Sequence, residues 1–311
     1  MAVPKTLKPV AFAAPPKHKA RLSRLVRTKI MNTNWQLAHG RCIELGGAAV
    51  VMGILNVTPD SFSDGGEAAS VEHALTRVRE MIAAGAAIID VGGESTRPGA
   101  DPVSEGEEQK RVLPVVEALA AMGEILISVD TYREATARLA LKAGAHVIND
   151  VWGLQRESGI ARIAAGMGAG LVVMHTGRER IPLADLMEDQ FAFFGRSLTI
   201  AREARVENRQ IVLDPGFGFA KDPGDNLELM ARFGEFAALG FPLLAGTSRK
   251  RFLGHVTGRE PRARDAATAA ANALLRLKGA AIFRVHDVAS TVDALKLVDA
   301  VMAHNPARKP T

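Results

Sequence analysis

The sequence predicts an α/β fold, a closed (β/α)8 barrel built as a single domain, and three observations carry that expectation. Between residues 50 and 302, short apolar runs alternate eight times with amphipathic segments. Such alternation implies parallel strands joined by helical crossovers. Chemistry-bearing residues follow the ends of the apolar runs, whereas Gly85, Gly123, Gly144, Gly170 and Gly279 stand before their beginnings. Eight units imply closure, because a ring leaves no strand edge exposed. A doubly wound open sheet is the alternative. The length of 311 residues suits one such barrel.

The first strand, 50–55, is apolar enough to be buried on both faces. Its sequence then turns polar within one residue, through Asn56, Thr58, Asp60, Ser61, Ser63 and Asp64. Pro59 and the pair Gly65 and Gly66 forbid a simple continuation of strand or helix. A helix over 71–84 follows, with Val71, Leu75, Val78 and Ile82 on one face and Gly85 as its cap. The second strand is 86–91. The helix over 104–122 opens on Ser104, with Glu107 placed as a capping-box partner. Strands at 125–129, 145–149, 171–174, 210–213, 242–245 and 280–285 come next. They are separated by helices at 133–142, 158–167, 185–207, 225–239 and 262–277, and a last helix spans 288–302.

Composition narrows the function classes. Apolar residues make up 47% of the chain and charged residues 23%, the balance of a soluble globular protein. No apolar run approaches the roughly 18 residues of a membrane span. The single Cys42 can form no intramolecular disulfide and no metal cluster, which favours a reducing, cytoplasmic setting. Its surroundings suit a small hydrophobe better than a nucleophile. The whole chain carries 39 basic and 34 acidic residues, yet residues 1–43 hold nine of the basic ones and no acid. The remainder therefore has 30 against 34, a net charge of −4. A mildly acidic body argues against nucleic acid as a partner. Residues 1–45 read as a basic, flexible extension, 46–305 as the barrel and 306–311 as a tail. The extension lacks a secretory core. It is compatible with a serine-poor transit peptide or with a plain disordered arm, Met31 being an alternative start.

In a barrel of parallel strands all carboxyl ends share one rim, where active sites lie. The rim offers Asn56; Glu94 with Thr96 and Arg97; Asp130; Asn149; His175; Asp214; Ser248 with Lys250; and Arg284 with His286. Singly, each has a plain explanation. Asp130 and Asp150 could cap helices, and Asp214 before Pro215 is a common turn opener. Jointly they divide in two. Asp130, Asn149 and Asp214 end strands directly, so they lie deep and need partners. They suit a planar heterocycle with adjacent N–H donors, with Lys250 as a donor to a ring acceptor. Arg97, Arg284 and His286, with Asn56, suit a pyrophosphate, and Asn56 can help to ligate a magnesium ion bridging its oxygens. Neither the Gly216 and Gly218 pair nor any P-loop lysine points to a nucleoside triphosphate.

These stretches resemble the dihydropteroate synthase family. NVTPDSFSDGG (56–66), DVGGESTRPGA (90–100), SVDT (128–131), IND (148–150), MH (174–175), DPGFGFAKD (214–222), TSRK (247–250) and RVHD (284–287) occur in the family's order, across residues 48–303. The resemblance implies a TIM barrel that joins p-aminobenzoate to 6-hydroxymethyl-7,8-dihydropterin pyrophosphate, with Mg2+ as cofactor and a homodimer as assembly. It implies that Asp130, Asn149, Asp214 and Lys250 hold the pterin, with Met174 and Arg284 against its faces. Asn56, Arg97, Arg284 and His286 would take the pyrophosphate, Asn56 also the metal. Phe62, Thr96, Arg97, Pro98, Phe219, Ser248 and Lys250 would surround the p-aminobenzoate. Of these, Asn56, Asp130, Asp214, Lys250, Arg284 and His286 are the expected catalytic set. Residues 57–66 and 92–102 would be mobile lids. Two departures stand out. Arg251 follows the TSRK lysine where some members carry a hydroxyl residue, and could itself meet the p-aminobenzoate carboxylate. The TGRER run at 176–180 differs from many members. The rival readings are a pterin-binding methyltransferase barrel, which should lack the first and seventh motifs, and a silent pterin-binding paralogue.

Overall fold

The computed structural model describes residues 33–57, 66–94 and 103–304. It opens with an antiparallel hairpin of β1 (Thr33–Gln36) and β2 (Cys42–Leu45), in which Thr33 pairs with Leu45 and Gln36 with Cys42. The alternating units follow: β3 (Val50–Asn56), α1 (Gly66–Ala83), β4 (Ile88–Gly92), α2 (Glu105–Met122), β5 (Leu126–Asp130), α3 (Glu134–Lys142), β6 (Val147–Asp150) and α4 (Gly159–Met167). Then come β7 (Gly170–Met174), α5 (Leu186–Glu203), β8 (Ile211–Asp214), α6 (Pro223–Arg232), β9 (Leu244–Ala245), α7 (Arg251–Thr257), α8 (Asp265–Leu277), β10 (Ile282–Val285) and α9 (Val288–Ala303). The eight strands β3 to β10 form one parallel sheet in the order β8-β7-β6-β5-β4-β3-β10-β9. A parallel bridge between Leu213 and Leu243 joins the two ends, so the ring forms rather than the open sheet.

The eight expected strands are present, with boundaries shifted by one or two residues. The helical expectation differs more: α1 begins at Gly66 rather than at 71, and the helix expected over 185–207 ends at Glu203. The segment read as one helix over 225–239 is α6 followed by a 3-10 helix, Phe233–Leu239. The short α7 directly after Lys250 had no counterpart in the sequence reading. Ser104 does cap α2, accepting the Glu107 N–H at 3.3 Å, while the Glu107 carboxylate pairs with Arg111.

Strand residues point alternately in and out, and the two sets bury against different partners. Ile89, Val91, Ile127, Val129, Ile148, Leu171, Val173 and Phe283 pack in the cluster shared with the helices. Met52, Ile88, Leu126, Val147, Val172, Val212, Leu244 and Ile282 form a separate apolar cluster inside the barrel, at the amino ends of the strands. Two residues further along the same inward rows stand Asp90, Ser128, Asn149, Met174, Asp214 and Arg284. The barrel interior is thus greasy below and polar above, which places the chemistry at the carboxyl rim.

Of the segment 1–45 expected as a flexible extension, residues 1–32 lie outside the described residues, while residues 33–45 form this ordered hairpin. Trp35, Leu37 and Leu45 are fully buried and belong to the inner apolar cluster, closing the barrel at its amino end. The Trp35 Nε1–H donates to the Gln210 carbonyl at 2.7 Å. Gly170 is part of this seal, because a Cβ there would lie 2.5 Å from Leu37 Cδ2. The proline- and lysine-rich composition of the first thirty residues masked a period-two pattern in Trp35, Leu37, Ile43 and Leu45. Trp35→Ala is expected to cost about 3–5 kcal/mol. Urea unfolding checks this, and a change under 1 kcal/mol would contradict the plug. Cys42 lies exposed on this hairpin.

Candidate active site

Arg284 ties the floor of the mouth together. It stands on β10 between two carboxylates, with Nε 2.5 Å from Asp90 Oδ2 and Nη2 2.8 Å from Asp130 Oδ2. Asn149 Nδ2–H also donates to Asp90 Oδ2, at 3.1 Å. Four strands, β4, β5, β6 and β10, are thereby cross-linked through inward side chains. Burial works against the charge on Arg284, yet Asp90 and Asp130 hold its pKa above the ordinary arginine value. Asp130 is raised to about 7, chiefly by burial, with Arg284 opposing and Asp90 reinforcing the rise.

Asp214 ends β8, and its Oδ1 accepts the Gly216 N–H at 2.8 Å. Burial raises it to about 6, against the pull of that hydrogen bond and of Lys250. Lys250 is lowered to about 8, first by burial and then by Arg284, while Asp214 works the other way. Its Nζ stands 4.2 Å from the centre of the Phe219 ring. Gly218, at φ +78°, makes room for it: a Cβ there would meet Lys250 Cδ at 3.1 Å. Desolvation thus brings two acids and one base toward neutrality within one mouth, a pattern that marks functional sites.

Above the floor, Val151, Met174 and Phe219 form a small apolar cluster, with Tyr132 and Trp152 against it. It is a flat greasy wall beside a charged floor. At the opposite side the Ser248 hydroxyl accepts the His286 backbone N–H at 3.1 Å and meets His286 Nδ1 at 2.9 Å, which directs Nε2 away from Ser248. Asn56 is half-buried at the end of β3, and Gly92 lies between it and Asp130, since a Cβ on Gly92 would find Asn56 Oδ1 at 3.7 Å and Asp130 Cβ at 3.6 Å. Arg251 is exposed in the first turn of α7. Phe62, Thr96, Arg97 and Pro98 lie outside the described residues, as do most of the expected lids and the 306–311 tail.

His175, read from the sequence as a rim residue, sits behind the wall instead. It is buried, with Nε2 3.0 Å from Asp189 Oδ2 and Nδ1 2.9 Å from Lys221 Nζ. Burial lowers it to about 3, so the ring is neutral near pH 7. Lys221 also donates to the Gly216 carbonyl at 2.9 Å, bracing the turn that carries Asp214 and Phe219. Burial brings Lys221 down to about 7. Arg178, in the unusual 176–180 run, lays its guanidinium 4.7 Å from the Phe219 ring centre.

The sequence reading missed Asp90, Arg178 and Lys221. Asp90 had a signal: in IIDVG it lies two residues after Ile88, on the inward row of its strand. Position at a strand end does not select Asp90, which lies two residues short of one. Arg178 and Lys221 lie in loops, where no periodicity reports which way a side chain turns.

Among the described residues no group of three His, Cys, Asp or Glu side chains could hold a metal by itself. Asn56 supplies one neutral oxygen, which fits Mg2+ of the kind that arrives on substrate phosphates and keeps several waters. It does not fit a resident ion caged by protein alone.

Comparison with known proteins agrees with this geometry. The pterin binding enzyme family matches residues 52–286. The dihydropteroate synthase of Bacillus subtilis is 48% identical over 253 residues, covering 81% of this chain and 88% of that protein. The dihydropteroate synthase of Clostridium difficile, solved with pteroic acid, is 42% identical with a TM-score of 0.81, covering 83% of this chain and 98% of that one. That of Xanthomonas albilineans, solved with 4-aminobenzoic acid, is 42% identical with a TM-score of 0.82, covering 88% of this chain and all of the other. A rim of buried carboxylates and cations on an eight-stranded ring, together with relatives of this closeness across most of the chain, leads to one assignment: the chain belongs to the dihydropteroate synthase family of pterin binding enzymes.

Proposed function

We propose that the chain is a transferase of folate biosynthesis that joins p-aminobenzoate to 6-hydroxymethyl-7,8-dihydropterin pyrophosphate, releasing pyrophosphate and forming 7,8-dihydropteroate. The observation that carries this reading is the convergence of Asp130, Asn149, Asp214, Lys250 and Arg284 on one mouth beside the Met174 and Phe219 wall. The direct test mixes the dihydropterin pyrophosphate, radiolabelled p-aminobenzoate and Mg2+. Labelled dihydropteroate is expected, and its absence from folded protein would end the assignment. Family membership also supports a homodimer, which sedimentation checks. The lone cysteine supports a cytoplasmic setting, and among the described residues no helix is long and apolar enough to cross a membrane.

In this reading Asp130 and Asp214 accept ring N–H groups of the pterin, Lys250 donates to a ring acceptor, and Met174 and Arg284 lie against its faces. Arg284 and His286, with Asn56 and Arg97, hold the diphosphate. Phe62, Thr96, Pro98, Phe219, Ser248 and Arg251 receive the p-aminobenzoate. Its amine is neutral and nucleophilic near pH 7, so the site needs no strong base. The costly event is cleavage of the bond between the pterin methylene and the diphosphate oxygen, whose electron pair leaves with the oxygen. Buried carboxylates favour the positive charge that spreads over the pterin as that bond opens, and Arg284 and His286 favour the departing anion. The new C–N bond then forms and the amine proton passes to solvent. Asn56 would hold Mg2+ at the diphosphate, where the ion neutralises leaving-group charge.

Two results follow from this division of labour. Asn56→Ala is expected to cut turnover by about 10²-fold while pterin affinity stays within a few-fold, as steady-state kinetics and calorimetry would read. Equal losses in both would move Asn56 away from the leaving group. The pH profile of kcat/KM for the dihydropterin pyrophosphate should be bell-shaped, because that parameter reports the free enzyme. It should rise with pH as Asp214, at about 6, and Asp130, at about 7, become anionic acceptors. It should fall as Lys250 loses its proton at about 8. Lys250→Met should abolish the alkaline limb; a limb that survives belongs to another group.

A further inference from the structure

The loop from β9 to α7 carries Thr247, Ser248, Arg249 and Lys250, and Arg249 sits at φ +55°, in the left-handed region. A side chain with a Cβ seldom adopts that conformation, and it persists where surrounding contacts over-determine it. Here the contacts come from the start of α8 and the residue before it. Arg249 grips Asp265 with both arms of its guanidinium, Nε to Oδ1 and Nη2 to Oδ2, each at 2.7 Å. Its backbone N–H donates to Thr268 Oγ1 at 3.1 Å. Arg264 Nη1 reaches back to the carbonyls of Arg249 and Lys250, at 3.1 and 3.4 Å. Thr247 Oγ1 donates to Asn272 Oδ1 at 2.9 Å. Even Gly254 serves this packing, since a Cβ on it would fall 2.2 Å from the Arg264 guanidinium.

The consequence lies one residue on. With Arg249 turned left-handed, Lys250 takes φ −62° and ψ 154°, opens α7 as its N-cap, and sends its chain across Gly218 to the Phe219 ring. Without the turn at Arg249 the lysine would leave the loop in another direction. We infer that Asp265 and Thr268 are positioning residues of the reaction: they hold Arg249 in its left-handed conformation and thereby aim Lys250 at the pterin. The inference rests on the assignment of Lys250 to the pterin.

Calorimetric titration of the full chain with 6-hydroxymethylpterin, without p-aminobenzoate, tests it. Asp265→Asn and Thr268→Val are each expected to weaken binding roughly tenfold. Thr268→Val keeps the test open if Asp265→Asn does not fold. Adding Arg249→Gly to Asp265→Asn should restore affinity to within about threefold of the parent, because glycine adopts a positive φ without a clamp. A purely structural role would lower the melting temperature and leave affinity and the alkaline limb untouched, and that outcome overturns the inference, as does failure of the glycine rescue. Lys250→Met separates the two claims. If it weakens binding while Asp265→Asn and Thr268→Val do not, the inference alone fails; if it binds pterin as tightly as the parent, the reading of Lys250 falls with it.

Discussion

Arg284→Ala is expected to lose turnover by on the order of 10³-fold and to destabilise the apo protein by about 3–5 kcal/mol. Both effects have one origin. Arg284 is the counter-charge held against Asp90 and Asp130, at 2.5 and 2.8 Å. Its removal leaves two carboxylates inside the barrel without a cation in contact, and an unpaired buried charge costs far more than a surface pair contributes. In the proposed reaction the same guanidinium faces the diphosphate, so the variant also loses leaving-group stabilisation. Arg284→Lys should recover part of the stability and little of the rate, because an ammonium cannot fork to two carboxylates. Asp90→Asn placed on Arg284→Ala should recover stability and no activity. Denaturant unfolding and single-turnover kinetics would read these separately. An Arg284→Ala protein that melts with the parent and turns over within tenfold of it would remove Arg284 from the centre of the site.

Asp214→Asn should weaken pterin binding by roughly 10²-fold, the scale of truncating one partner of a buried charged hydrogen bond. The same variant should melt higher than the parent near pH 8. The sign follows from linkage. The folded-state pKa of Asp214 is about 6, raised from 3.8, so the folded protein binds this proton more tightly than the unfolded chain. Ionised Asp214 therefore destabilises the fold, fully above about pH 6, and that cost fades as pH falls toward 4. The amide can still accept the Gly216 N–H while carrying no charge. The melting difference should thus be largest at pH 7 to 8 and vanish near pH 4. Calorimetry of binding and scanning melts across pH test both halves. Unchanged pterin affinity would rule out Asp214 as a reader of the ring edge, and a melting advantage of the variant over the parent that is smaller at pH 8 than at pH 4 would reverse the linkage argument. The site is in this sense stressed when apo and relieved by a ligand that donates to its acids.

Much of this was open to a reading of the chain alone. Eight apolar runs, each closed by a polar residue, dictate a ring with one chemical rim, because parallel strands cannot place their carboxyl ends anywhere else. Asp130, Asn149 and Asp214 were legible for that reason, since each stands at or next to the carboxyl end of its strand, and Lys250 was legible in the loop that leaves β9. What the chain alone left undecided depends on direction within the folded ring. Asp90 becomes the partner of Arg284 only because β4 and β10 both flank β3 and turn those two side chains inward on a shared level. His175 looks like its neighbours on the rim, yet the turn at Gly216, where a Cβ would strike the His175 carbonyl at 1.9 Å, leaves it behind the wall. The hairpin around Trp35 was hidden by composition averaged over a basic arm. The left-handed Arg249 carries no local mark at all, since its conformation is imposed by Asp265 and Thr268 from another element. Local sequence determined which strands exist and what they end in. Tertiary structure decided which buried charges meet, because burial and pairing depend on neighbours that lie close in space and far apart along the chain.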